Sequence, residues 1–439
     1  MKARTAAVTI LNKLDNNFYG YEEVVEKFLR RNKFSPEDKN FINLLVKGTI
    51  EQSRYLDFVI EATYRGDFKK LEKSALNILR IGVLQAKILH TPVHAYVNET
   101  VNVTKALKKF RLTGLINGVL RHLVSDAEID KLLADYNPVK RLGIIHSFPD
   151  WMIKKWTRDF GEENTLELMK FYNSSQEIFF RLNTLKTNAD TFFNILKNKG
   201  FEAKIIQREP GIFFTLPNPG EFLGSNIFHK GLCSVQDLSQ AFAAELLTPQ
   251  EKDHILDLCA APGGKSTYLA QLTKNLATIK SYDISNKKLN MLRDEIKRQD
   301  IRNIEPIEAD TAVYQLPEAN KILVDAPCTG TGIIGRKADL RWSRDANDFH
   351  KTNMLQRNIL DNAAKALQKG GILVYATCSI EKEENHAIVA EFLDNHPDFV
   401  LEPAQKFIDE NYCDEAGFVN ILPFKHQLSG SFAARLKRV

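Results

Sequence analysis

No two of the five cysteines stand at Cys-x-x-Cys spacing, so the chain offers no zinc knuckle of the common kind, and no metal is expected. An odd number of widely spaced thiols excludes a disulfide framework, and the expected home is a reducing cytoplasm. No apolar run approaches the ~18 residues that a membrane span needs. The basic N-terminus MKARTAAVTILNKLDNN has no long apolar core and does not read as a secretory signal. Internal repeats and low-complexity tracts are absent. Two nucleotide signatures are missing as well. In LDLCAAPGGKST, Gly264-Lys265-Ser266 fits the tail of a phosphate loop, but Cys259 stands where its first glycine belongs. The dinucleotide fingerprint G-x-G-x-x-G is not there either.

What is there is ordinary in bulk and uneven in detail. The 439 residues suffice for two to four domains, with 44% hydrophobic and 26% charged residues. Residues 1–150 carry 24 Lys+Arg against 17 Asp+Glu, whereas the remainder carries 36 against 38. The basic excess therefore belongs to the N-terminal third, and it permits an RNA partner without demanding one.

Residues 1–135 read as helical: Ala7, Ile10, Leu11 and Leu14 repeat at helical spacing, as do Leu76, Leu79, Val83 and Leu84. Ser35-Pro36-Glu37-Asp38 has the form of a helix start. Residues 136–150, with Asn137-Pro138 and Phe148-Pro149, are expected to form a linker. Residues 151–234 read as a helix followed by a small α/β domain, with apolar runs at 179–185, 203–206 and 212–216 around a helix over 189–199. From residue 235 to 439 short apolar runs alternate with helical segments, which predicts a doubly wound parallel sheet. Segments 418–422 and 432–436 are placed as an antiparallel closing hairpin.

Chemistry gathers at the ends of those runs, where ligands bind in open α/β sheets. Cys328 in KILVDAPCTGTG and Cys378 in GILVYATCSIEKEEN each follow a strand-like stretch and begin a loop. Paired thiols there suggest nucleophilic chemistry, against the plainer reading of two small buried residues. The loop Cys259, Ala260, Ala261, Pro262, Gly263, Gly264 and Lys265 follows a strand that carries Asp257, and its small residues let a ligand lie against the backbone. A ligand without phosphate, such as the methionine part of S-adenosylmethionine (SAM), suits it. Asp283 and Asp310, at the next two strand ends, are candidates for the ribose diol and the adenine amino group, although strand-end aspartates also cap helices. Arg336, Lys337, Arg341 and Trp342 form a cationic cluster with an aromatic, suited to phosphates and a stacked base.

LDLCAAPGGKS, VDAPCTGTGIIGRKADLRW and YATCSIEKEEN together resemble the RNA cytosine-5 methyltransferases. ILRIGVLQAKILHTPVHAYVNETV and INGVLRHL resemble a NusB-type helical domain, and RLNTLKT and FPDWMIKKW resemble the family's intervening segments. The combination is similar to the RsmB (Sun) type of ribosomal RNA methyltransferase across nearly the whole chain. Thr329 stands where that family usually has Ser, and Gly335 and Ala338 replace its usual Arg and Pro. The resemblance implies three parts: an all-α NusB-like domain, a small RRM-like α/β domain and a Rossmann-like SAM methyltransferase domain. It further implies SAM as cofactor, RNA as partner, Cys378 as nucleophile, and Cys328 as the thiol that assists release. Without the resemblance either cysteine could attack. Asp325, three residues before Cys328, is expected to meet the cytosine N3 and amine and to border the SAM site. A monomer is expected. The alternatives are the same chemistry on transfer RNA, or a non-catalytic NusB-like RNA-binding factor.

Overall fold

The structure, a computed structural model, describes residues 1–207 and 209–439 and divides into two compact units. The first holds residues 1–174 together with 334–346; the second holds 175–333 and 347–439.

The first unit is all helix. Its core gathers the periodic residues of the sequence, with Ala7, Ile10, Leu11, Leu79 and Val83 all buried. The start at Ser35 is as the sequence suggests: its hydroxyl accepts the Asp38 N–H at 3.2 Å, and Pro36 opens the helix Pro36–Glu51. Residues 136–150 are not an irregular linker, because both X-Pro steps open helices. Asn137 caps Pro138–Ile145 through the Lys140 N–H at 2.9 Å, and Pro149 precedes Asp150–Phe160. A proline in the first helical turn lacks only an N–H that would have no partner there. The helices Asp150–Phe160 and Glu162–Asn173 pack with this unit.

Residues 334–346 correct a reading of the sequence. Arg341 and Trp342 are not a nucleic-acid face. The Arg341 guanidinium is fully buried, donates to the carbonyls of Glu51 and Tyr172 and to Asn173 Oδ1, and lies 4.2 Å from the centre of the Phe148 ring. Trp342 Nε1 donates to the Ile50 carbonyl at 2.8 Å. A buried guanidinium needs several acceptors, and helix C-termini supply them.

The second unit contains two sheets. Strands β1 (Phe179–Leu182), β2 (Lys204–Gln207), β3 (Phe213–Thr215) and β4 (Cys233–Val235) form an antiparallel sheet in the order β2-β3-β1-β4. The larger sheet has five parallel strands: β5 (His254–Leu258), β6 (Thr278–Asp283), β7 (Ile304–Glu308), β8 (Ala319–Asp325) and β9 (Leu367–Thr377). It is mixed, because β10 (Phe399–Glu402), β11 (Val419–Ile421) and β12 (Ser431–Arg438) are antiparallel, with β12 paired to β9. The order β10-β12-β9-β8-β5-β6-β7 reverses direction between β5 and β8. A crevice at such a reversal is where ligands bind in open α/β sheets.

Candidate active site

The candidate SAM-binding and catalytic residues lie at the carboxyl edge of the parallel strands, on the last residues of β5, β6 and β8 or on the segments that follow the strands. After β5, Cys259 adopts φ +64, a conformation that a non-glycine residue rarely holds. Gly263 follows at φ +109, and a Cβ there would lie 2.3 Å from Leu292 Cδ1. The turn therefore requires glycine for its backbone angle, and it packs against Leu292 of the helix Asn286–Gln299. The helix Gly264–Leu272 starts immediately behind it.

Carboxylates surround this turn. Asp257 is fully buried; its Oδ2 accepts the Ser266 hydroxyl at 2.5 Å, while its Oδ1 has no partner among the described residues. Burial, with the charges of Asp325 and Asp283, raises its pKa to about 7 against the Ser266 bond and Lys265. Burial and then, against a hydrogen bond with Thr311, the same three carboxylates push the Cys259 thiol up to about 12, which disfavours its thiolate. Asp283 is buried and accepts the Ala261 N–H at 3.2 Å and the Ser285 N–H at 2.9 Å. It thus fixes the glycine turn from the neighbouring strand. Asp310 is exposed and accepts the Ala312 N–H at 3.0 Å.

This arrangement fits SAM. Like charges held together at a partly buried site oppose one another; a ligand carrying a sulfonium and an ammonium relieves that opposition. The unpartnered Asp257 oxygen and the small-residue turn supply an acceptor and room for it.

Lys265, whose position the sequence left open, is buried and bonds Asp325 Oδ2 at 2.7 Å and Gln240 Oε1 at 3.1 Å. Burial works against its ammonium, yet the charge and hydrogen bond of Asp325, aided by Cys378 and Asp257, hold its pKa above the usual lysine value. Asp325 therefore faces a cation, which the sequence reading did not foresee.

The two sulfurs meet: Cys328 Sγ and Cys378 Sγ are 3.3 Å apart, both as free thiols. Their loops are tied together by the backbone. The Gly332 N–H donates to the Cys378 carbonyl at 3.0 Å, and the Gly430 N–H to the Gly332 carbonyl at 2.8 Å. Thr331 Oγ1 accepts the Ile380 N–H at 3.3 Å. The Cys328 thiol lies well above its ordinary range, first through its bond to Cys378, then through burial, then through the charges of Cys378 and Glu384. Cys233 is buried and pushed to about 12, mainly by burial, consistent with a structural residue.

Sequence reasoning missed Arg181, although it lies in the RLNTLKT segment. It is fully buried on β1, donates to the Gly264 carbonyl at 3.0 Å, to Thr267 Oγ1 at 3.0 Å, to Gln271 Oε1 at 2.9 Å and to Gln236, and lies over the Tyr268 ring. The small sheet thereby grips the first turn of the helix behind the glycine loop. A cavity of about 850 Å³ lined by Glu245, Thr248, Leu272, Lys274 and Phe407 touches none of the residues described above. It adjoins the segment that precedes β5, at the opposite edge of the sheet from the chemistry.

Comparison with known proteins agrees with this layout. A family model described as 16S rRNA methyltransferase RsmB/F matches residues 244–437. The NusB family matches residues 1–125, and a ferredoxin-like domain of RsmF/B-like methyltransferases matches 148–217. Ribosomal RNA small subunit methyltransferase B of Pasteurella multocida is 32% identical over 82% of this chain and 80% of its own length. The probable ribosomal RNA small subunit methyltransferase B of Bacillus subtilis is 28% identical over 90% of this chain and 89% of its own. The crystal structure of PH0851 superposes with a TM-score of 0.80 at 26% identity, across 100% of this chain and 99% of that one.

Proposed function

The chain belongs to the RsmB/F family of SAM-dependent ribosomal RNA methyltransferases, and we propose that it methylates carbon 5 of a cytosine in small-subunit ribosomal RNA through a covalent Cys378 adduct. The observation that carries this reading is the sulfur pair, 3.3 Å apart on adjacent strand ends. Carbon 5 of cytosine is a weak nucleophile until a thiolate adds to carbon 6.

The charges on either side support the division of labour. Lys265, held by Asp325, brings a cation into the site, and the Glu384 carboxylate acts on the Cys328 side, where it disfavours a thiolate. Cys378 Sγ attacks carbon 6, and the electron pair passes to carbon 5. Bound SAM supplies the methyl group, carried on a sulfonium, and the residues suited to hold it are Cys259 to Lys265 with Asp257, Asp283 and Asp310. Release then requires that the carbon-5 proton pass to water, the carbon 5–carbon 6 double bond re-form, and the carbon–sulfur electrons return to Cys378. Cys328 S–H donates to that departing sulfur. Lys265 and Asp325 are positioned to meet the polar edge of the base, with Lys265 as the donor toward developing charge. The target base leaves its stack, or comes from a loop, to reach the site.

The test is methyl transfer from labelled SAM to a small-subunit ribosomal RNA transcript, followed by mapping of the modified base and trapping with RNA containing 5-fluorocytosine. Label on cytosine carbon 5 and a trapped complex through Cys378 are expected. Label on another atom, or transfer without any trapped species, overturns the reading; transfer to transfer RNA alone would move it to a different substrate.

A further inference from the structure

Glu384 is a carboxylate with no exposed surface and no cationic partner among the described residues. Its Oε1 accepts the Thr329 N–H at 2.8 Å, and its Oε2 accepts the Thr329 hydroxyl at 2.5 Å. Gln356 Nε2 donates to the Pro327 carbonyl at 2.9 Å and approaches Glu384 Oε1 at 3.5 Å. The Glu384 backbone carbonyl accepts the Tyr375 hydroxyl at 2.7 Å. An anion held in the interior by neutral donors alone is costly and is relieved only by hydrogen bonds. Here those bonds converge on the residue that follows Cys328. The Cys328 thiol interacts with Cys378, Glu384 and Tyr375, and a hydrogen bond from the Gly330 backbone works against its raised pKa. Tyr375 stays neutral, since burial and then the charges of Cys328 and Glu384 carry its pKa far above the ordinary value.

We propose that Glu384 is a positioning residue for the second thiol: its buried carboxylate clasps the Pro-Cys loop through Thr329 and sets a negative group on the Cys328 side, so that this sulfur can donate to the departing Cys378. The proposal rests on the reading of Cys378 as nucleophile and Cys328 as release partner. Glutamine at 384 keeps an acceptor for the Thr329 N–H and a polar group for its hydroxyl, so Glu384→Gln removes the charge more than the clasp.

The experiment measures iodoacetamide alkylation of Cys328, by peptide mass at pH 8, in a Cys378→Ser background, with and without Glu384→Gln. The same Glu384→Gln change is then assayed for methyl transfer and adduct in the otherwise wild-type enzyme. Loss of the charge is expected to speed Cys328 alkylation about tenfold, the effect of one pKa unit. It is also expected to lower kcat with little change in KM for SAM or RNA, and to raise the amount of covalent RNA–protein adduct. Unchanged alkylation with lowered kcat would reduce Glu384 to packing and overturn the proposal; so would unchanged kcat. If Glu384→Gln does not fold, Thr329→Val serves: the charge stays and alkylation stays slow, but transfer falls because the clasp loses its hydroxyl bond. Rapid alkylation or full transfer in Thr329→Val overturns the proposal. A wild-type enzyme that is never trapped, or a Cys378→Ala enzyme that still methylates, defeats the parent reading instead.

Discussion

The sulfur side of the site and the glycine-loop side are built on opposite terms. Around Cys328 and Cys378, short hydrogen bonds join Gly332 to Cys378, Thr331 to Ile380 and Thr329 to Glu384, so the geometry is set before any ligand arrives. Around Cys259 to Gly264, three carboxylates oppose one another and a buried oxygen of Asp257 lacks a partner. The first is preorganised chemistry, which gains rate by holding reacting groups in place. The second is a binding site whose electrostatics are completed only by a cation. The difference predicts that changes on the sulfur side affect turnover, while changes on the glycine side affect SAM binding and its dependence on pH.

The sharpest way to break this contrast is to remove each sulfur. Cys378→Ala should lower methyl transfer by at least about a thousandfold, as loss of a nucleophile does, and leave no trapped complex. Cys328→Ala should also stop turnover but accumulate covalent RNA–protein adduct, visible as a denaturant-resistant band. The reverse pattern exchanges the two roles.

Next in size is Gly332→Ala. A Cβ at 332 would lie 2.4 Å from the Gly430 carbonyl oxygen and 2.8 Å from that of Cys378, and backbone cannot yield as a flexible side chain does. Forcing the loops apart should cost about 2 kcal/mol of stability and roughly 10- to 100-fold in transfer rate. Thermal unfolding and single-turnover kinetics read the two effects separately. A stable variant with full activity would show that the sulfur spacing is not held by this contact.

On the other side, pH is the probe. Asp257 has a pKa of about 7 in the folded chain, raised mainly by burial and then by Asp325 and Asp283. A cationic ligand favours its ionised form, so SAM binding should release a proton below pH 7. Affinity should therefore strengthen as pH rises toward 7 and level off above it. The free protein has the opposite slope: the protonated carboxyl is favoured by folding, so its contribution is complete below ~4 and is lost as pH rises to about 7. Asp257→Asn should flatten the binding profile measured by calorimetry. Glu245 also reaches about 7 through burial, but it lines the cavity at the opposite edge, so Glu245→Gln should leave the SAM profile intact. A slope that follows Glu245 would place the titrating group away from the glycine turn.

The contrast also explains what was legible in the sequence. Strand ends could be read because apolar runs stop at Asp283, Asp325 and Cys378, and the glycine turn because only small residues tolerate its backbone. The helix opened by Asn137-Pro138 was read as a linker because the same dipeptide signals both a turn and a helix start. Strand β10 is four residues long, too short for alternation to show. Charged residues were the real limit. Arg341, Lys265, Arg181 and Glu384 are each buried and bonded in the fold, and nothing in the local sequence around them marks that. Burial of a charge is decided by partners that are distant in sequence: Asp325 for Lys265, Gly264 for Arg181, and Thr329 for Glu384.

The smallest expected effect concerns Thr329, where the family usually has serine. Both of its bonds to Glu384 use atoms that serine shares, the backbone N–H and the hydroxyl. Thr329→Ser therefore keeps the clasp and removes one methyl group from a site with no exposed surface. The lost methyl should cost about 1 kcal/mol. The remaining difference is rotamer freedom, since a β-branched side chain is stiffer at χ1. Transfer should fall no more than about threefold, with no rise in trapped adduct, because a threefold change corresponds to less than ~1 kcal/mol. Comparison of Thr329→Ser with Thr329→Val by single-turnover transfer separates the hydroxyl from the methyl. If serine proves as damaging as valine, the side chain acts through its shape, and the preorganisation of the sulfur side rests on packing rather than on the bond to Glu384.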